Sequence, residues 1–91
     1  MNKTNVNEPV NITALYFRNK TQLKSFPKRM EYNGHEYTFQ ESGLAYRVVK
    51  KDLDLRFFNM TDGSADYRLR FDYKNLSWTL VSITRTLNFN N

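Results

Sequence analysis

Apolar and polar residues alternate with a period of two through most of this chain of 91 residues. Successive side chains of a β-strand point to opposite faces of a sheet, so the alternation is typical of strands with one buried face. Turn residues interrupt it roughly every 8–12 positions, as in antiparallel proteins. The sequence therefore predicts an all-β fold, a small antiparallel meander of six or seven short strands, rolled or closed into a small barrel.

The clearest local prediction is a β-hairpin centred on Asn33–Gly34. This dipeptide tolerates the two positive φ angles of a type I′ turn, whose twist matches that of the strands it joins. A two-residue turn places Tyr32 opposite His35 and Met30 opposite Tyr37. The predicted apolar face of the hairpin carries Met30, Tyr32, Tyr37 and Phe39.

Further strands are predicted between residues 44 and 85. Their expected inward residues are Leu44, Tyr46, Val48, Leu53, Leu55, Phe57, Tyr67, Leu69 and Phe71. The last strand opens at Trp78, and its apolar residues change parity between Leu80 and Val81. A β-bulge accounts for this change, because one extra residue reverses which side chains face inward.

The first part of the chain is less regular. We predict a strand near residues 14–18, a turn at 19–21 and an extended segment ending at Pro27, with one amphipathic helix over 12–26 as the alternative. Residues 1–9 and 88–91 are predicted to be flexible tails because they are polar and terminal. A single β domain over residues 10–87 lies between them.

Several classes of protein are disfavoured by composition. The chain has no cysteine, which excludes disulfides, thiolate zinc sites and cysteine nucleophiles. No apolar run approaches the roughly 20 residues of a membrane helix, and residues 1–9 lack the apolar centre of a signal peptide. Asp52 and Asp54 share one side of an extended segment, but two carboxylates do not make a metal site. We expect a cytoplasmic protein with no metal, no cofactor and no membrane contact.

The positive charge is concentrated in one segment. The formal net charge is +5, and residues 18–29 contain five basic residues and no acidic one. Lysine and arginine attract phosphates, and aromatic rings nearby can stack on bases. We therefore predict that a polyanion such as nucleic acid binds this basic segment, whose charged members are Arg18, Lys20, Lys24, Lys28 and Arg29.

A second set of basic residues is predicted to project from neighbouring strands, on the face away from the core. This set consists of Arg47, Arg56, Arg68 and Arg70. Such a face can extend a phosphate-binding surface. Because Asp54, Asp66 and Asp72 share the predicted face, a ladder of compensating charges is the more economical interpretation.

The expected function is therefore a small binding module and not an enzyme. The first alternative is a protein–protein adaptor or subunit, because Ala45, Val49, Phe58 and Met60 fall on the outward parity and exposed apolar area marks interfaces. The N-terminal segment folding over those residues is the simpler explanation for them. The second alternative is a small ribonuclease that uses His35 as acid or base. His35 follows a turn without an orienting partner, so we assign no catalytic residue.

Overall fold

The computed structural model describes residues 2–17 and 25–85. These residues form seven β-strands and no helix, which confirms the predicted all-β class. The strands are β1 (Asn2–Phe17), β2 (Ser25–Tyr32), β3 (His35–Thr38), β4 (Glu41–Lys50), β5 (Leu53–Thr61), β6 (Ala65–Asp72) and β7 (Ser77–Arg85). Every neighbouring pair of strands is antiparallel.

The strands form one sheet in the order β3-β2-β1-β7-β6-β5-β4. Two meanders, β1 to β3 and β4 to β7, are joined because the first strand pairs with the last. Within the described part of the chain, β3 and β4 are the two ends of this order. The described sheet is therefore open, and closure into a barrel is not confirmed.

β1 is long enough to pair with two strands in succession. Residues 2–10 pair with β7, and residues 11–17 pair with β2. The register is irregular between Asn5 and Glu8, where Asn7 has a φ of 52°, and again between Ile12 and Leu15. Such irregularities bend a strand and increase its twist. Residues 2–9 therefore belong to the sheet despite their tail-like sequence, because ladder hydrogen bonds are made by the backbone and do not require apolar side chains.

The structure favours strands over the alternative helix wherever it describes this region. Residues 12–17 are extended within β1, and Phe26 and Pro27 lie within β2. The helix predicted as the alternative for residues 12–26 is wrong for these positions. The turn predicted at 19–21 and the tail predicted at 88–91 lie outside the described residues.

The predicted hairpin is confirmed. Asn33 and Gly34 have φ values of 53° and 76°, and both signs are those of a type I′ turn. Tyr32 lies opposite His35 and Met30 opposite Tyr37. Met30 is fully buried, whereas the opposite face of the hairpin is exposed. The exposed face carries Arg29, Glu31, Glu36 and Thr38.

The hairpin of β2 and β3 lies over β5 and β6. The ring centroids of Phe26 and Phe58 are 6.1 Å apart, and those of Phe39 and Tyr67 are 5.4 Å apart. In a flat sheet β2 and β5 would be separated by about 19 Å, four strand spacings. The sheet therefore curls over itself around an apolar core. The buried apolar residues of that core are Val10, Phe26, Met30, Phe39, Phe58, Met60, Ala65, Tyr67, Leu69 and Leu80.

β5 faces the core with the parity opposite to the predicted one. Phe58 and Met60 are buried, whereas Leu53 is 45% exposed. Phe58 lies opposite the fully buried Leu69, and this pairing fixes the face. The interpretation of Phe58 and Met60 as outward residues is therefore wrong, and Phe26 of the N-terminal segment does pack over Phe58.

The parity change predicted in β7 is confirmed. Leu69 pairs with Leu80 and Arg68 pairs with Ser82, so Val81 is the extra residue of a bulge. Leu80 is buried before the bulge, and Ile83 packs against the core after it.

The turn between β6 and β7 contains a strained leucine. Leu76 has a φ of 51° and is 74% exposed. A left-handed backbone costs a residue with a Cβ about 1–2 kcal/mol, and glycine avoids this strain. Glycine is also more flexible in the unfolded chain, and this entropy offsets about 0.5–1 kcal/mol of the benefit. Leu76→Gly should therefore raise the free energy of unfolding by about 0.5–1 kcal/mol, measured by urea denaturation. The same replacement at Leu53, which has no positive φ, should lower it.

Candidate nucleic-acid interface

The structure describes two of the five charged residues of the basic segment. Arg18, Lys20 and Lys24 lie outside the described residues. The Lys28 ammonium donates a hydrogen bond to the carbonyl oxygen of Phe39 at 3.0 Å and is partly buried. This contact ties β2 to the end of β3. Arg29 is exposed on the outer face of the hairpin.

The second basic set does not share one face. Arg47 lies opposite Arg56, and Arg56 lies opposite Phe71, which packs against the core. Arg68 and Arg70 alternate with the core-facing residues of β6 and therefore point to the opposite face. The prediction of four arginines on one outward face is wrong, because the parity of β5 was assigned in reverse.

Arg47 is neutralised by a carboxylate on its own face. Its Nε and Nη2 atoms donate to Oδ1 and Oδ2 of Asp54, each at 2.8 Å. These hydrogen bonds lower the pKa of Asp54. The guanidinium also lies 4.6 Å from the centroid of the Tyr73 ring. Compensation of charge across strands, the more economical interpretation of the sequence, is thus confirmed for this pair.

The outer face of β4, β5 and β6 carries a pair of stacked rings beside two arginines. The rings of Tyr46 and Phe57 are 5.1 Å apart at an interplanar angle of 19°. The Arg68 guanidinium carbon lies 5.0 Å from the Phe57 centroid and 5.4 Å from the Tyr46 centroid. Arg70 lies directly opposite Phe57. We call this set the outer patch: Tyr46, Phe57, Arg68 and Arg70.

The arginines of the outer patch donate hydrogen bonds to uncharged groups. Arg68 donates to Oδ1 of Asn59 at 3.3 Å and to the Tyr46 hydroxyl, and Arg70 donates to Oγ1 of Thr79 at 3.4 Å. All of these acceptors are neutral. The salt bridge observed among the side chains that the structure describes joins Arg47 and Asp54, and it involves neither arginine of the outer patch.

Two acidic residues flank the outer patch on the same face. Asp72 lies beyond Arg70, and its carboxylate accepts hydrogen bonds from the backbone N–H of Lys74 and from Asn75. The bonds from Asn75 are the largest cause of its lowered pKa, and the charge of Arg70 contributes. Asp66 lies beyond Arg68 and is exposed. The two arginines of the outer patch therefore lie between two carboxylates along β6.

The outer patch can bind planar and anionic groups together. Tyr46 is 39% exposed, so part of its surface is open to a flat ligand. Guanidinium groups beside it can donate paired hydrogen bonds to a phosphate. Sequence reasoning missed the aromatic half of the site because it assigned Tyr46 and Phe57 to the core. The adjacent Phe57 and Phe58, which must point to opposite faces, were the signal that one ring lies outside.

Other features of the described residues offer less chemistry. An open cleft of about 460 Å³ lies between β1 and the hairpin turn, and Glu8 and Glu31 line it, so it does not suit a phosphate. His35 is exposed opposite Tyr32. No cluster of three or more potential metal ligands occurs among the side chains that the structure describes. The same residues contain no helix able to cross a membrane.

The sequence matches no protein-family model, and it has no significant match among curated proteins or among solved structures.

Proposed function

We propose that this protein is a small non-enzymatic module that binds single-stranded nucleic acid on its outer patch. The observation that carries the proposal is the juxtaposition of a partly exposed ring pair with Arg68 and Arg70, neither of which forms a salt bridge with a side chain that the structure describes. Proteins that bind single strands combine positive grooves with rings on which bases stack. Each element of that combination is present on one face of β4, β5 and β6.

A single strand suits this surface better than a duplex. Rings can stack only on bases that are already unstacked from their neighbours, and such bases occur in single strands, loops and ends. Stacking on the exposed part of Tyr46 would supply affinity with little dependence on sequence. The arginines beside it would then hold the phosphates and fix the direction of the backbone.

The basic segment contributes in a different way in this proposal. Arg29 lies on the outer face of the hairpin, and the hairpin covers the inner face of β5 and β6, so Arg29 and the outer patch point away from each other across the core. We therefore assign the basic segment, Arg18 to Arg29, a field that attracts polyanions from a distance. That field acts over about 10 Å at 0.1 M salt.

The aromatic part of the proposal is tested with Tyr46→Ala. Loss of one stacking ring should weaken binding by about 1–3 kcal/mol, or roughly 5- to 150-fold. The measurement is the fluorescence anisotropy of a labelled oligothymidylate, with a labelled oligouridylate in parallel to compare DNA with RNA. Leu53→Ala is the matched control, since it removes an exposed apolar side chain of β5 away from the rings. Equal affinities for the two variants would refute the assignment of bases to Tyr46.

The electrostatic part is tested with two arginine variants of equal charge. Arg70→Gln removes a positive charge from the outer patch, and Arg56→Gln removes one from the opposite face. For single strands the slope of log affinity against log salt changes by about 0.7 for each phosphate contact. Arg70→Gln should make the slope shallower by about that amount, while Arg56→Gln should leave it nearly unchanged. A wild-type slope near zero would contradict the proposal and favour the protein-binding alternative.

A further inference from the structure

Asn59 lies beside the outer patch, on the same face of the sheet. It is two residues from Phe57 along β5 and directly opposite Arg68 of β6. Its Oδ1 atom accepts a hydrogen bond from Nη1 of Arg68 at 3.3 Å. A guanidinium group carries donors only, so the oxygen of the amide has to face it. The Nδ2 group of Asn59, with its two N–H donors, therefore points away from Arg68.

These two donors are open to a ligand. Among the residues that the structure describes, Nδ2 of Asn59 has no hydrogen-bond acceptor, and no buried polar side-chain atom lacks a partner. Nδ2 therefore reaches the surface, in agreement with the partial exposure of Asn59.

Gly43 of β4 leaves room beside this amide. A Cβ atom at Gly43 would lie 3.6 Å from the Cβ atom of Asn59 and 3.4 Å from its carbonyl oxygen. A side chain at this position would therefore lie against Asn59. A glycine within a strand often marks a place that a ligand approaches closely. The exposed Gly43 fits that role.

The arginines also orient two hydroxyl groups near the stacked rings. The Tyr46 hydroxyl accepts a hydrogen bond from Nη2 of Arg68, and Oγ1 of Thr79 accepts one from Nη2 of Arg70 at 3.4 Å. A hydroxyl that accepts a hydrogen bond still has its own O–H to donate. The polar groups around the rings therefore present mainly donors to a ligand.

We propose that this arrangement selects keto bases, with Asn59 as the residue that distinguishes them. The inference rests on the proposed function, because it needs a base stacked on Tyr46. The exocyclic group farthest from the sugar is a carbonyl oxygen in thymine, uracil and guanine, and an amino group in adenine and cytosine. The carbonyl oxygen accepts from Nδ2 of Asn59. An amino group there would place donor against donor and leave both without a partner.

The other contacts of the outer patch do not discriminate between bases. Every base can stack on Tyr46, and contacts between arginine and phosphate carry no sequence information. The ratio of the affinities for two strands with the same backbone therefore isolates the contribution of Asn59.

The test compares oligodeoxyuridylate with oligodeoxycytidylate of equal length by fluorescence anisotropy. The two strands have the same sugar and the same ring size, and they differ at the exocyclic group and the ring nitrogen beside it. The wild type should bind oligodeoxyuridylate roughly 5- to 30-fold more tightly, because one matched hydrogen bond is gained and an unpaired donor is avoided.

Asn59→Asp tests the amide directly. Aspartate keeps an oxygen for Arg68 and replaces the Nδ2 donors with a second oxygen, so the preference should fall to about 2-fold or less, or reverse. The affinity for both strands should also fall, since the new carboxylate offsets the charge of Arg68. Asn11→Asp is the matched control. It adds the same charge at an exposed position of β1, three strands from β5, and should keep the wild-type ratio.

Gly43→Ala tests the opening beside the amide. Gly43 has no positive φ and the added methyl group makes ordinary contacts, so the urea midpoint should be nearly unchanged. The variant should weaken the binding of oligodeoxyuridylate more than that of oligodeoxycytidylate.

Three results would contradict the inference. Equal affinities of the wild type for the two strands would overturn it and leave the proposed function standing. A ratio that Asn59→Asp leaves unchanged would have the same consequence, because Asn59 would then only hold Arg68 in place. Binding of neither strand would refute the proposed function, and this inference with it.

Discussion

Replacement of Phe39 by alanine is expected to lower the free energy of unfolding by about 3–5 kcal/mol. Phe39 is 1% exposed, and its ring packs 5.4 Å from that of Tyr67, centroid to centroid. Its N–H also donates to the carbonyl oxygen of Lys28. The side chain therefore holds the hairpin against β6. Since a domain of this size has a total stability of roughly 5 kcal/mol, only about 0–2 kcal/mol would remain, and the variant should be marginally stable at 25 °C.

The measurement is urea denaturation followed by the fluorescence of Trp78, the one tryptophan of the chain. Leu53→Ala serves as the control, because it truncates an exposed apolar side chain and should change stability by less than about 0.5 kcal/mol. A loss of less than about 1 kcal/mol in the free energy of unfolding of Phe39→Ala would mean that the Phe39 ring contributes little packing between the hairpin and β6. That result would contradict the packing of the hairpin over the sheet.

Replacement of Asp62 by alanine is expected to cost about 2–4 kcal/mol at pH 7. The Asp62 carboxylate accepts hydrogen bonds from the N–H and hydroxyl of Ser64, from the N–H of Ala65 and from the Tyr67 hydroxyl at 2.7 Å. Removing it leaves the partly buried Tyr67 hydroxyl without its acceptor. Tyr67→Phe removes one of these bonds and no charge, so it should cost less, about 1–2 kcal/mol. Asp66→Ala, at an exposed carboxylate, should be nearly neutral.

The same carboxylate gives a dependence of stability on pH. Burial alone would raise the pKa of Asp62, but the hydrogen bonds from Ser64, Tyr67 and Ala65 outweigh it and lower the pKa. Burial, followed by the bond to Asp62, raises the pKa of the Tyr67 hydroxyl. A carboxyl group whose pKa is lowered on folding stabilises the fold above its unfolded pKa, about 3.9, and that stabilisation is lost as pH falls through the folded pKa.

The urea midpoint of the wild type should therefore decrease as the pH is lowered from about 5 to about 2. In Asp62→Ala this decrease should be smaller, although the lowered pKa values of Asp54 and Asp72 will preserve part of it. Parallel titrations at a fixed ionic strength provide the comparison. An identical pH dependence in the two proteins would show that the hydrogen bonds to Asp62 do not stabilise its charge.

The features that could be predicted from the sequence are those that depend on neighbouring residues. Asn33–Gly34 determines its own turn, and the turn determines that Met30 faces Tyr37. The bulge of β7 was visible because Leu80 and Ile83 have different parities and both are apolar. In each case the conformation of a short segment is determined by the residues of that segment alone.

The face of β5 could not be predicted in this way. Its apolar residues occupy both parities, and the polar residues Asp54 and Arg56 suggested that the even-numbered side points to solvent. That side faces the core because Phe58 is opposite Leu69, a contact between separate strands. Arg56 lies against the Phe58 ring, 4.8 Å from its centroid, and Asp54 binds Arg47, so both are accommodated at the end of the inner face.

The division of the arginines follows from the same contact. With the observed parity of β5, Arg47 and Arg56 lie on the inner face of the sheet. Phe57 and Tyr46 lie with Arg68 on the outer face. The sequence showed the charges, but the rings beside them depend on pairings across three strands. The outer patch could therefore be identified only from the structure.

The pairing of β1 with β7 also determines the order in which the chain can fold during synthesis. Residues 2–10 emerge before β7, and their partners in β7 are more than 65 positions later. The β2–β3 hairpin can form early because its contacts are local, whereas the seam between β1 and β7 must close last. Until then the backbone of residues 2–10 has no strand to bond, so this stretch is where a nascent chain is most open to chaperones or to mispairing with another nascent chain.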